Sequence, residues 1–454
     1  MVLMATMAPG PAIAQKPAHT ATRDPAEMPT AWLQLGAGTD NAGRRPGTLD
    51  VSWHFKAPRP VRGLSVAGGL VVVGTESPDA SELVRGPDQH GFLIALDAFT
   101  GAQVWMRKVP SWIHGDPVIF DGRAFATYGQ YPMQAAGGVT AVDVATGDSL
   151  WSMPIADGVM PSAALDSATG SLVVVGGDGI LRTLDYKTGA VRNQAGLRAA
   201  DAMASPRIDD DGVVYVGAQS SLFSYSTRTD RFNWTYHSPT LVELGTPPPA
   251  LTDSIVFTEG TERLSVWSAF RELSFGRFLK MGREAYTLSG NRLSTYSSWY
   301  KRQWLLAIDR RDGHLRWQQP LGAGRIILRN NSGTPVVTGD RVIISSPVGR
   351  TVSAFDVSSG KPLWTHSLDA IHVGAVTVVD NDLVLGDRAG TITLLRASNG
   401  TVLGTCHAGA RFSPTAPIVV GHTLFAAMRD GQVYATPYDS LRRRATQPQP
   451  TNCF

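Results

Sequence analysis

The sequence predicts an all-β protein, an eight-bladed β-propeller of four-stranded antiparallel blades closed by its own N-terminal strand. Three observations predict it: a hairpin repeated seven times, a spacing between copies in the forties, and an unmatched strand at each end of the chain. A strand-rich repeat of that length is the mark of propeller blades.

The hairpins read ALDAFTGAQVW (Asp97 to Trp105), AVDVATGDSLW (Asp143 to Trp151), TLDYKTGAVRN (Asp185 to Asn193), SYSTRTDRFNW (Ser226 to Trp234), AIDRRDGHLRW (Asp309 to Trp317), AFDVSSGKPLW (Asp356 to Trp364) and LLRASNGTVLG (Arg396 to Gly404). The eight-residue offset is constant. Each copy reads as an alternating strand, a turn and a returning strand, and in every copy except SYSTRTDRFNW the turn carries a glycine that tolerates positive φ. Upstream of each hairpin lies a second apolar pair, such as DPVIFDGRAFATYG (116–129) or TPVVTGDRVIISS (334–346), which makes four strands per blade. The last inner strands, TLFAAMRDGQVYATPYD (423–439), lack an outer strand, whereas LDVSWHFKA (49–57) is an outer strand with nothing before it. Pairing the two closes the ring and removes an exposed sheet edge.

One large domain over 31–440 follows, with an insertion at 259–303 in blade five and a C-terminal tail at 441–454. The net charge of +3 on 454 residues argues against nucleic acid as a partner, because such a footprint needs a concentrated basic stripe. No apolar run reaches the 18 or so residues of a transmembrane segment. Residues 1–30 read as an export-signal remnant and flexible N-terminus, since Ala12-Ile13-Ala14 before Gln15 has the pattern of a signal cleavage site. The protein is therefore expected to be periplasmic or secreted. With Gln15 following that cleavage site, the cysteine that lipid anchoring requires is absent there. In an oxidising compartment the two cysteines, Cys406 and Cys453, are expected to pair.

In a propeller the connections leading into the innermost strands and those joining second to third strands share one face. The Thr-Gly turns lie on the other. Three second-to-third connections are enlarged, at 76–90, 129–137 and 259–303, all on the first face. The segments leading into innermost strands carry Arg62, His114, Arg329, Asn330, His372 and Arg411. Convergent on the axis, these would form a positive pocket for a small anionic ligand; as solvated loop residues they would not. The blade-five insertion is the most basic and aromatic-rich stretch, with Trp267, Phe270, Arg271, Arg277, Lys280 and Arg283. It reads as a lid packed on the propeller or as a docking surface for a partner. No metal site is expected, because two histidines on separate blades form no ligand set.

The repeats resemble the PQQ-like repeats of eight-bladed quinoprotein propellers and of BamB-like outer-membrane assembly scaffolds, over roughly residues 30–440. The segment AWLQLGAGTDNAG (31–43) before the first strand is also similar to the one that opens such chains. The resemblance implies one of two functions. The first is an exported, non-enzymatic scaffold binding a protein partner in an envelope or extracellular complex, with no cofactor. The alternative is a PQQ-dependent alcohol or sugar dehydrogenase, which would need PQQ and calcium. The alternative's methanol-dehydrogenase-like branch holds PQQ over adjacent cysteines, with calcium on Glu, Asn and Asp and an Asp as base; this chain has no adjacent cysteines and no matching acidic set. The first reading is therefore the expectation.

Overall fold

The computed structural model describes residues 28–29, 31–34, 38–76, 90–129, 137–156, 158–159, 161–197, 204–244, 247–263, 300–325, 333–448 and 451–454. Eight sheets are formed among the described residues, and they follow one another along the chain as the eight blades of a propeller. Blade one is typical, with strands Val61–Ala67, Leu70–Thr75, Gly91–Asp97 and Gln103–Val109 paired antiparallel in that order. Blade eight takes three strands from the C-terminal region, Ile418–Val420, Thr423–Ala427 and Gln432–Pro437, and its outer strand, Trp53–Lys56, from near the N-terminus. Trp53 faces Ala435 and Lys56 faces Gln432, so ring closure is an antiparallel strand pair, as the sequence predicts.

The repeated aspartate makes the hairpin. Asp97 Oδ1 accepts the backbone N–H of Phe99 (3.0 Å) and of Thr100 (2.8 Å), and Gly101 follows at φ 71°. The same pattern recurs at Asp143 with Ala145 and Thr146, and at Asp185 with Lys187 and Thr188. A carboxylate that satisfies its own turn, followed by a residue free to take positive φ, fixes where the strand reverses.

The repeated tryptophan joins the blades. Its indole Nε1 donates to the carbonyl just after the aspartate position of the next blade: Trp53 to Ala98 (2.9 Å), Trp105 to Val144 (2.8 Å), Trp151 to Tyr186 (3.0 Å), Trp234 to Arg310 (2.8 Å), Trp317 to Val357 (3.1 Å) and Trp364 to Ala397 (3.0 Å). The ring then lies over that blade's turn glycine; a Cβ on Gly147 would come within 2.7 Å of Trp105. The eight-residue offset thus sets a seam rather than a feature of one blade.

Two seams lack the tryptophan. In blade three Asn193 donates instead to the Tyr225 hydroxyl (2.8 Å). In blade seven Gly404 leaves room for a helix, α1 (Tyr438–Ala445), whose terminal Ala445 carbonyl lies where a Cβ on Gly404 would meet it at 2.1 Å. The helix stands where the sequence indicates only the beginning of a tail. Tyr438 and Arg442 both donate to Asp382, at 3.0 and 2.7 Å. Beyond the helix, Cys453 is bonded to Cys406 on the outer strand of blade seven, the expected bridge.

The N-terminal segment before the first outer strand does work that its composition conceals. Pro29, Trp32, Leu33, Thr39, Asp40, Ala42 and Gly43 offer their carbonyls to Gly68, Ile119, Leu165, Leu251, Val337, Val378 and Val419, and Gln34 Oε1 accepts from Ile208. Those acceptors serve all eight blades in order, each at or just past the innermost strand. The inner edge of every blade faces the axis with backbone donors that need partners, and the described residues between 29 and 43 supply them as a belt. The bonds lie where innermost strands end, on the Thr-Gly turn side. The belt is fastened by Arg207, fully buried, which donates to Pro249 O (3.1 Å) and Gly38 O (2.7 Å). Burial lowers its guanidinium to about 9, opposed by Asp40 and Asp116.

In blade five the flanks of the insertion are strands. Ile255–Arg263 and Tyr300–Asp309 pair throughout, with Arg263 opposite Lys301, so the strands extend beyond the insertion's sequence-derived limits of 259 and 303. Most of the insertion, 264–299, lies outside the described residues.

Candidate functional site

The face opposite the belt carries several groups of buried polar side chains; buried charges occur on the belt side too, at Arg207 and at the Asp209–Arg310 pair. Arg62, second in the innermost strand of blade one, sits 2.9 Å from Glu76, which follows the second strand of the same blade; Glu76 is fully buried. The other Glu76 oxygen lies 3.3 Å from Arg429 of blade eight. His114, on the segment leading into blade two, places Nδ1 3.4 Å from the Arg62 guanidinium and 3.9 Å from Glu76. A guanidinium can only donate, so a hydrogen bond from Arg62 requires an unprotonated Nδ1. One buried carboxylate thus organises side chains from blades eight, one and two.

A second group lies at blades five and six. Gln303 donates to Glu259 (3.0 Å) and accepts from Ser346 (2.7 Å), whose oxygen also accepts the Gly349 N–H (2.9 Å). Burial raises the Glu259 carboxyl to about 8, with Glu243 adding to the rise and Gln303 and Lys301 opposing it. Beside it Lys301 and Glu243 form an ion pair of 2.5 Å. At blades six and seven, His372 is buried with Nδ1 2.7 Å from the Ser345 hydroxyl, and burial lowers its imidazole to about 3. Burial thus favours the neutral ring.

The structure therefore brings Arg62 and His114 together around Glu76. Arg411 is exposed on the segment leading into blade eight, where its carbonyl accepts the Arg429 N–H (2.8 Å). His372 belongs to the separate Ser345 pair. Arg329 and Asn330 lie outside the described residues, as do Trp267, Phe270, Arg271, Arg277, Lys280 and Arg283 of the insertion.

Glu76, Arg429, Glu259 and Gln303 are not singled out by the sequence reading. A signal for the first two existed. In each blade the second-strand residue opposite the third strand's last residue can be numbered from the repeat; Leu70 faces Asp97 in blade one and Thr423 faces Pro437 in blade eight. Six positions on lie Glu76 and Arg429. Aligning the blades at the second strand, rather than only at the first, places both on one face.

The family described as outer membrane protein assembly factor BamB matches residues 46–269, 253–405 and 348–447. The chain is 29% identical over 128 residues to the outer membrane protein assembly factor BamB of Burkholderia pseudomallei, a stretch covering 28% of this chain and 31% of that protein. It is 20% identical over 378 residues to the tetrathionate hydrolase of Acidithiobacillus ferrooxidans, covering 77% of this chain and 70% of that one. Among solved structures, BamB from Moraxella catarrhalis superposes with a TM-score of 0.57 at 16% identity, over 85% of this chain and 96% of that one. The quinohemoprotein alcohol dehydrogenase of Comamonas testosteroni gives the same TM-score at 12% identity, over 89% and 80%. At such identities the structural likeness speaks for the fold alone.

Proposed function

The chain belongs to the family of the outer membrane protein assembly factor BamB, and from that premise we propose that it is an exported, non-enzymatic propeller that binds a protein partner of an envelope assembly complex. The binding face is the one that carries the innermost-strand approaches and the enlarged connections. One observation carries this reading: the axial ends of the two faces are built differently, although ion pairs occur on both, the turn face holding Asp209–Arg310 and Asp382–Arg442. At the Thr-Gly end the belt of residues 29–43 takes up the inner-edge donors of all eight blades. At the other end charges are gathered and held in place, by Glu76 between Arg62 and Arg429 and by Glu243 against Lys301. Charges fixed in position give an interface its register and orientation. The Cys406–Cys453 bridge suits an oxidising compartment, which supports a periplasmic location.

The enzymatic reading has one observation in its favour, the long alignment with tetrathionate hydrolase. PQQ chemistry of the methanol-dehydrogenase type fits poorly, because the two cysteines are joined to each other across the outer strand of blade seven rather than adjacent beneath a cofactor.

The test uses a photo-crosslinking residue in intact cells, placed at Asp369, exposed on the segment leading into the innermost strand of blade seven and so on the binding face, and at Asp148 or Lys361, exposed in the hairpin turns of blades two and six on the turn face. Adducts to another protein are expected from Asp369 alone. Adducts only from Asp148 or Lys361 would reverse the face assignment. Dye-linked alcohol oxidation by the purified chain with added PQQ and calcium would overturn the non-enzymatic reading.

A further inference from the structure

Three arginines lie within electrostatic reach of one another at the mouth of blades seven and eight. Arg388 and Arg429 occupy the place that Glu76 takes in blade one. Each lies six positions after the residue that starts the second strand's pairing with the third, Asp382, Thr423 and Leu70 respectively. In all three blades the backbone N–H of this residue donates to the segment leading into the innermost strand: Arg388 to Ile371, Arg429 to Arg411 and Glu76 to Pro60. Arg411 is drawn between the two blades, because its own carbonyl binds Arg429 while the next N–H, Phe412, reaches Asp387 O of blade seven (3.4 Å). Along this lip the charges therefore run Arg388, Arg411, Arg429, Glu76.

Glu76 balances one end of the row, where it is shared with Arg62. At the other end, among the described residues, Arg388 and Arg411 have no carboxylate partner. Asp387 is adjacent, but its side chain is engaged by the Ala389 and Thr391 N–H groups of its own turn. Arg388 is half-buried and Arg411 exposed. The Arg388 guanidinium is held below the usual arginine value by burial first, and then by Arg429 and Arg411. Like charges gathered in a partly desolvated place are relieved by an anion, and the planar guanidinium fork matches a carboxylate in two-point contact.

We propose that Arg388, Arg411 and Arg429 form a carboxylate-binding site for an acidic segment of a protein partner. The proposal rests on the reading of this face as the protein-binding one. The row supplies its own precedent for the ligand chemistry, since at its closed end the group seated on Arg429 is a carboxylate. An extended acidic segment crossing the lip would continue that alternation along the open end.

The test uses the full chain and a fluorescent hexaglutamate peptide, followed by anisotropy, with inorganic phosphate as competitor. The peptide is expected to bind in a salt-sensitive manner, and the double variant Arg388→Gln/Arg411→Gln to bind at least tenfold more weakly. Arg316→Gln, on the turn face and paired with Asp309, should bind as the parent does. Millimolar phosphate should leave the peptide bound. If the double variant melts differently from the parent, Arg411→Gln alone, at an exposed position, should still lose severalfold. Equal binding by parent and variants, or no binding by the parent, overturns the proposal. Displacement by phosphate at the peptide's own concentration overturns the assignment to a peptide. Either failure would leave the crosslinks from Asp369 standing, whereas crosslinks confined to the turn face would remove the protein-binding reading itself.

Discussion

Glu76 shows how much one residue can hold in a propeller. It is fully buried and shared by Arg62 and Arg429 from two neighbouring blades. Removing one member of a buried ion pair leaves the rest uncompensated, at a cost of about 3–5 kcal/mol. Glu76→Gln should accordingly lower the urea midpoint strongly, with the effect read at constant m-value. Two other buried groups set the pH dependence, in opposite directions. His372 is held at about 3, against 6.5 ordinarily. As pH falls from 6.5 towards 3 the unfolded chain binds a proton that the folded chain does not, so stability is lost on acidification. Glu259 is held at about 8, against 4.5 ordinarily. As pH rises from 4.5 to 8 the unfolded carboxyl ionises while the folded one keeps its proton, so stability is lost on that side. Glu259→Gln should flatten the decline between pH 4.5 and 8 and leave the acid limb unchanged, as measured by unfolding midpoints across the range.

At the scale of elements, the seams between blades carry the design. Each tryptophan combines a ring over the next blade's turn with one indole hydrogen bond, and the two contributions can be separated. Trp105→Phe keeps most of the packing and loses the bond to Val144, which should cost about 1 kcal/mol; Trp105→Ala should cost about 3–5 kcal/mol. The seventh seam obeys a different rule. Because the end of α1 occupies the space above Gly404, the substitution Gly404→Ala forces helix and strand apart and should cost about 1–3 kcal/mol, although alanine is the smaller change in chemistry. The bridge from Cys406 to Cys453 spans 47 residues and locks the same seam. In the chain-entropy account a loop of that size contributes about 4 kcal/mol, so the Cys406→Ser/Cys453→Ser pair should show a clearly lower melting temperature.

For the whole molecule, closure and the belt use adjacent stretches of chain, and truncation separates them. Removing residues 1–45 takes away the belt but leaves Trp53–Lys56 in blade eight, so the edge of Gln432–Pro437 stays covered. That chain should be less stable yet monomeric by size-exclusion chromatography. Removing residues 1–58 uncovers the edge as well and should yield aggregates, since an unpaired strand is a template for association. A chain that remains monomeric after the longer truncation would show that blade eight does not need its N-terminal strand.

The blades, their number, the closure and the disulfide were legible in the sequence, because each depends on short-range chemistry repeated at a fixed spacing. Asp97 makes its own turn with Thr100, and a turn that satisfies itself needs no tertiary help. The purpose of the tryptophan offset was not legible, since Trp105 acts on Val144, in the next copy rather than its own. The belt was equally hidden: residues 29–43 have no periodicity of their own, and their order is imposed by the inner strands they serve. The candidate site divides in the same way. Arg62 and His114 could be named from their place around the start of an innermost strand, Arg62 falling just inside it and His114 before it, but whether they form an open positive pocket depends on Glu76, whose carboxylate reaches them only once blades eight, one and two are assembled. Local hydrogen bonding is written into neighbouring residues, whereas the balance of buried charge is decided between segments that only the closed ring brings together.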